Sequence, residues 1–266
     1  MNEHSVASFT LPSVKILSSC LRYLSFKDNG IKFVLSTRKG SSELRLTRSD
    51  VPECSYSEVI IELPENEMMI NKIATDDSKC EKSISWIIDC SLFLRVLRLF
   101  ENYEYVTLHL GCDLTNVYLH SVECERWARV AVLHDLGPLL NVDNEVTVLH
   151  RICSLQDFFH IVRYIATTNE ATCTVLLRFD NLQSVMELKT TSATASLVVD
   201  GQSLQDRIEG RVATMELVAF ADLAMRVRQN ASLHIGIGMN DLTFFRLDWK
   251  TITMRQSTAS LYFCSE

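Results

Sequence analysis

The sequence predicts an α+β protein made of two tandem copies of one domain, each with two helices packed on antiparallel sheets. The first observation is internal echo. Arg22-Tyr23-Leu24 returns 141 residues later as Arg163-Tyr164-Ile165, and each phrase closes an amphipathic stretch that opens at a serine, Ser13 or Ser154. Thr107-Leu108-His109-Leu110-Gly111 returns as Ser232-Leu233-His234-Ile235-Gly236, and Asp113-Leu114-Thr115 as Asp241-Leu242-Thr243, at offsets of 125 and 128 in a chain of 266 residues. The second observation is element order, which runs strand, helix, strands, helix, strands in each half. Self-similarity at close to half the chain length marks a duplicated unit.

Four segments have helical periodicity. In residues 13–26, Val14, Leu17, Leu21 and Leu24 recur at steps of three and four and form one apolar stripe, with Pro12 and Ser13 as a start signal. Residues 89–100, 154–166 and 219–230 are the second, third and fourth helices. Alternating or β-branched runs predict strands over 5–10, 31–36, 43–47, 58–63, 83–88, 105–110, 116–121 and 127–133 in the first half. In the second half they cover 146–152, 172–179, 184–189, 193–199, 212–217, 232–237, 243–248 and 251–263, the last one broken. Residues 134–145 contain Gly137-Pro138 and an acidic tail, which breaks regular structure and marks a connector. The expected domains are therefore 1–133 and 146–266, joined by 134–145, and residues 64–81 read as a long polar loop within the first.

Composition narrows the class. At 47% apolar and 22% charged the chain is an ordinary globular sequence, and no run of about 18 uncharged residues could cross a bilayer. The first four residues lack a signal-peptide pattern, so an intracellular location is expected. Nine scattered cysteines fit reduced, buried small hydrophobes better than a disulfide framework. Cys112 and Cys124 lie near His109 and His120, but the spacing fits no common zinc pattern, and Asp76-Asp77 reads as a solvated acidic loop.

A formal charge of −7 argues against a protein that coats nucleic acid indiscriminately. Location matters more than the total. Lys15 and Arg22 are seven apart and share a face opposite the apolar stripe of the first helix. The second helix carries Arg95 and Arg98, the third His160 and Arg163, and the fourth Arg226 and Arg228. One helix at a time, such cations merely solubilise an amphipathic surface. Four of four across a duplicated architecture point toward phosphates contacted without base reading.

Two tandem domains of this pattern, joined by a Gly-Pro connector, resemble the PCNA-like DNA sliding clamps. Residues 14–28, Val-Lys-Ile-Leu-Ser-Ser-Cys-Leu-Arg-Tyr-Leu-Ser-Phe-Lys-Asp, look most like the start of the Rad-one subunit of the nine-one-one (Rad-nine, Rad-one, Hus-one) checkpoint clamp. Ile87-Ile88-Asp89-Cys90 and the ending Leu261-Tyr262-Phe263-Cys264 are similar to the same subunit. The resemblance implies a subunit of a DNA-damage checkpoint clamp that encircles duplex DNA in the nucleus and recruits repair and signalling proteins. It implies DNA-facing Lys15, Arg22, Arg95, Arg98, Arg163, Arg226 and Arg228. Leu136, Leu139, Leu140 and Val142 would border a pocket for partner peptides. Subunits would pair through Trp127, Arg129, Ala131 and Leu133 on one edge strand and Ala193, Ala195, Leu197 and Val199 on another. The implied partners are two related clamp subunits, sequence-independent double-stranded DNA, a clamp loader and repair or checkpoint proteins, with no membrane.

The alternatives are a homotrimeric PCNA-like processivity factor, a metal-dependent DNA exonuclease and a plain interaction scaffold. Nuclease chemistry needs carboxylates converging on metal ions. Asp180, Asp200 and Asp248 are the candidates, but each sits at a strand end in a turn context. No phosphate-binding loop or nucleophile elbow is present, and Gly236-Ile237-Gly238 lacks a third glycine and a following helix. His109 and His234 hold equivalent places in the echo, which predicts a shared structural role. No catalytic activity, cofactor or metal is expected.

Overall fold

The computed structural model describes residues 5–11, 13–25, 30–38, 41–48, 55–63, 68–70, 82–103, 105–121, 123, 125–133, 146–180, 183–200, 208–238, 242–250 and 256–265. Two compact units emerge. One comprises Met1–Asp50, Glu58–Pro138 and Lys250–Ser257, and the other Val51–Ser57, Leu139–Trp249 and Thr258–Glu266.

The first unit contains β1 (Ser5–Leu11), α1 (Val14–Leu24), β2 (Gly30–Arg38), β3 (Ser41–Arg48), β4 (Ser55–Leu63), β5 (Met68–Ile70), β6 (Lys82–Asp89), α2 (Cys90–Arg98), β7 (Val106–Gly111), β8 (Asn116–Ser121) and β9 (Arg126–Leu133). All its pairings are antiparallel: β1-β7-β8-β9 form one run and β6-β2-β3-β4 another, and the runs touch where Ile87 and Ile88 of β6 meet Leu133 and Val132 of β9. A strand–helix–three-strand module is thus used twice within the unit. The strand that enters each helix pairs with the strand that leaves the other helix, β1 with β7 and β6 with β2.

The second unit repeats this plan with β10 (Val146–Ile152), α3 (Leu155–Ala166), β11 (Thr172–Asp180), β12 (Gln183–Lys189), β13 (Thr194–Asp200), β14 (Ile208–Ala213), α4 (Thr214–Arg226), β15 (Ala231–Gly238), β16 (Thr243–Lys250) and β17 (Gln256–Ser265). Here β10 pairs with β15 and β14 with β11, the same crossed arrangement. The echoes seen in the sequence fall on equivalent positions: Leu108 pairs with Phe9 and Leu233 with Ile152, so His109 and His234 stand at matching points.

Local chemistry accounts for the helices. Ser13 accepts a hydrogen bond from the Ile16 N–H at 3.3 Å, and Ser154 accepts one from the Asp157 N–H at 3.1 Å. Asp89 caps α2 by accepting from the Leu92 N–H at 2.8 Å. Each such cap stabilises its helix by about 1 kcal/mol. The α1 stripe of Val14, Leu17, Leu21 and Leu24 is fully buried, and burial of each such side chain contributes roughly 1.5–3 kcal/mol. Aromatic rings complete the cores. Phe33 stacks on Trp86 at 5.5 Å and meets Phe93 edge-on at 5.6 Å in the first unit. Phe245 lies among Phe158, Phe220 and Phe263 at 5.4, 6.1 and 5.5 Å in the second.

Two expectations need correction. The fourth helix starts at Thr214, five residues before 219, so the strand expected over 212–217 ends at Ala213. Ala213 gives no side-chain cap, and Leu217, Val218, Phe220, Ala221, Leu223 and Ala224 are all buried, so neither a start signal nor a clean polar face announces the helix. The stretch 64–81 is also not all loop, because β5 within it pairs with β1, Ala7 opposite Ile70. A strand of three residues is too short for alternation to register.

Candidate nucleic-acid interface and subunit edges

The seven predicted DNA-facing cations are all exposed. Lys15 and Arg22 lie on α1, Arg95 and Arg98 on α2, Arg163 on α3, Arg226 at the end of α4, and Arg228 just beyond it. α1 packs against α2, where the Cys90 thiol meets the Leu21 carbonyl oxygen at 3.6 Å, and α3 packs against α4. Each unit therefore presents a pair of neighbouring helices.

The surroundings of these cations differ. Arg22 approaches Glu101 only at 3.8 Å, a long contact between half-exposed groups that is worth little. Arg163 donates to Asp222 Oδ1 at 2.5 Å and also lies over the Phe159 ring, 5.3 Å from its centroid. No ion pair engages Lys15, Arg95, Arg98, Arg226 or Arg228 among the described residues. Helix stability explains part of the pattern, because Arg22, Arg95, Arg98, Arg163 and Arg226 lie in last turns, where a cation complements the helix dipole. Lys15 is the exception, set in the first turn of α1, where the same dipole opposes it.

Among the described residues each unit also has an open strand edge. β9 pairs with β8 along its length and meets β6 only at its end. Trp127 on it is 62% exposed, and Arg129, Ala131 and Leu133 are exposed on the same face. β13 pairs with β12 and meets β10 only at Asp200 and Val199. Ala193 directly precedes this strand, Ala195 and Leu197 are half-buried, and Val199 is buried in the core. Val198, absent from the sequence-based set, is the exposed apolar residue here. A cleft of about 860 Å3 opens between α3 and β12–β13, lined by Ile161, Leu197, Val198, Asp157, His160 and the Arg178–Glu187 ion pair among others. α2 lies beside β9 just as α3 lies beside β13. The connector residues Leu136, Leu139, Leu140 and Val142 lie outside the described residues.

The candidate carboxylates are dispersed. Asp248 accepts from Arg246 Nε at 3.0 Å and from the Thr258 hydroxyl at 2.9 Å, and Asp200 is exposed on β13. Asp180 ends β11 opposite Gln183. Among the described residues no three His, Cys, Asp or Glu side chains gather as a metal site. Burial pushes the Cys20, Cys90 and Cys173 thiols up, to about 12, 11 and 12, which leaves them protonated and unreactive at neutral pH.

Three histidines make stability depend on pH. Burial lowers the pKa of His109, with His120 adding to the effect, and burial alone lowers that of His150, whose ring nitrogens have no hydrogen-bond partner among the described residues. Burial again leads at His234, where Arg246 and Arg151 also lower the pKa and Asp248 opposes them. The unfolded chain then takes up protons first as pH falls below about 6.5. Stability should be full above that point and decline between pH 6.5 and 5, read as a falling urea midpoint. Glu170, held near 2 by the Thr191 backbone and hydroxyl, stays ionised through that window. His150→Gln should flatten the profile, and a midpoint constant from pH 7.5 to 5 would contradict this account.

The fold defines the class first: a two-unit α+β protein with the architecture of PCNA-like clamps. It matches the crystal structure of the proliferating cellular nuclear antigen from Entamoeba histolytica with a TM-score of 0.69, over 98% of this chain and 99% of that one, at 10% sequence identity. The chain itself belongs to the DUF7881 family, a domain of unknown function whose N-terminal domain matches residues 2–136 and whose C-terminal domain matches residues 137–261. No curated protein matches its sequence.

Proposed function

We propose that this chain is a non-enzymatic subunit of a ring-shaped DNA sliding clamp. The observation that carries this is the conjunction, in two PCNA-fold units, of a solvent-facing helix pair bearing cations and an open strand edge, β9 in one and β13 in the other. Residues 1–133 and 146–266 act as the two clamp domains, with 134–145 as their connector. Edge strands with unpaired backbone groups accept another chain by strand addition, which is how neighbouring subunits would join. Once a ring is closed around a duplex, topology holds it there. Weak, sequence-independent phosphate contacts then suffice, and their strength falls steeply with salt.

The finer reading is a nuclear DNA-damage checkpoint clamp with two related subunits, loaded by a clamp loader and serving repair and signalling proteins. It rests on the resemblance of residues 14–28, 87–90 and 261–264 to the Rad-one subunit. The test is native mass spectrometry of the complex purified from its own cells, with retention measured on nicked circular and linear DNA. One copy with two different partners of similar size supports the checkpoint form, and three identical copies support a homotrimer in its place. A lone monomer that slides off neither template differently from the other would refute the clamp.

A further inference from the structure

We infer that the phosphate backbone is gripped mainly by the α1–α2 face of the first unit, and that on the α3–α4 face of the second Asp222 neutralises Arg163 and weakens that face's pull on phosphate. This rests on the sliding-clamp reading and divides its seven cations into two groups. Within α1 and α2 stand Lys15, Arg22, Arg95 and Arg98 and no Asp or Glu. The N-cap Asp89 is already spent on the Leu92 N–H, and the Arg22–Glu101 contact is long. On the exposed surface of α3 and α4 stand Arg163 and Arg226, with Arg228 just beyond, against Asp157 and Asp222, while Glu216 is buried. Arg163 is engaged on both its donor edge and its planar face, so meeting a phosphate would require breaking a short ion pair and leaving Asp222 as a like charge beside the strand.

Lys15 strengthens the assignment. Its first-turn position opposes the α1 dipole, so helix stability does not explain it. An incoming phosphate would reverse that balance, because the Lys15 charge and the helix N-terminus then both attract one anion. In the second unit the position equivalent to Lys15 is held by the neutral Gln156, and the neighbouring Asp157 in the first turn of α3 suits the dipole without a ligand.

The experiment uses the full chain and a short blunt duplex of mixed sequence, with affinity followed by fluorescence anisotropy across a salt series. Lys15→Gln, Arg22→Gln, Arg95→Gln and Arg98→Gln together should weaken binding at least about tenfold and flatten the salt slope by roughly one per cation removed. Arg163→Gln, Arg226→Gln and Arg228→Gln together should weaken it several-fold less than the first set. Asp222→Asn should strengthen binding, since it frees Arg163 and removes an acid from that face; a purely structural ion pair would not give this gain. All these side chains are at least partly exposed, and circular dichroism checks that each variant folds. If the second set weakens binding as much as the first, or Asp222→Asn weakens it, the division between faces is wrong while the clamp reading stands. If the wild-type chain, alone and in its assembled ring, shows no salt-dependent affinity for the duplex, the clamp reading itself fails.

Discussion

Phe245→Ala should destabilise the protein by about 3–5 kcal/mol, the largest single loss expected. Phe245 sits on β16 with no solvent exposure, and its ring meets those of Phe158 from α3, Phe220 from α4 and Phe263 from β17, all within about 6 Å. One truncation therefore removes the contact shared by both helices and the last strand. The void cannot be refilled by a single neighbour, because each of the three rings is anchored on a different element, so the cavity cost adds to the lost transfer energy. Urea unfolding followed by circular dichroism measures the loss. A change below about 1 kcal/mol would mean that the cluster collapses onto the gap and does not act as a rigid centre.

Trp127→Glu should abolish or strongly weaken assembly while leaving the folded chain as stable as before. The indole is 62% exposed on the open edge of β9, so its removal touches no core and should shift unfolding by no more than about 0.5 kcal/mol. An exposed tryptophan on an open strand edge is costly to keep unless a partner covers it, and buried aromatic anchors commonly contribute 2 kcal/mol or more to an interface. That corresponds to about a 30-fold loss of affinity per contact, before the cost of burying a carboxylate is added. Sedimentation velocity on the assembled complex gives the readout. Unchanged assembly would remove the β9 edge from the subunit interface.

Much of this was legible in the sequence where one face of an element is buried and the other is wet. The α1 stripe could be read because Lys15 and Arg22 lie opposite it at the helical period, and the N-cap serines of α1 and α3 are both used as their positions predict. α4 hid its start because it is buried on nearly every side and lacks a side-chain cap. The echo also overstated likeness. Tyr23 and Tyr164 hold the same place in the repeated phrase, yet Tyr23 is 3% exposed and Tyr164 53%, because adjacent sequence does not determine what packs over a helix. The candidate interface was least legible where charges pair across elements. Asp222 neutralises Arg163 from a separation of 59 residues, and no local pattern relates the two.

The crossed pairing inside each unit has a kinetic consequence. Ser5 at the start of β1 lies opposite Gly111 at the end of β7, so during synthesis β1 must wait for this neighbour. At about 5–20 residues per second this delay is roughly 5–20 s, and β10 waits comparably for β15. Until then α1 has an apolar stripe to cover and only part of a sheet against which to cover it. Hairpins such as β2–β3 and β11–β12 can close locally, but completion of each unit is governed by closure of long chain segments. The nascent chain thus carries a strand without its main partner, β7 or β15, for most of each unit's synthesis, which makes birth, more than the mature state, the period of greatest exposure to aggregation.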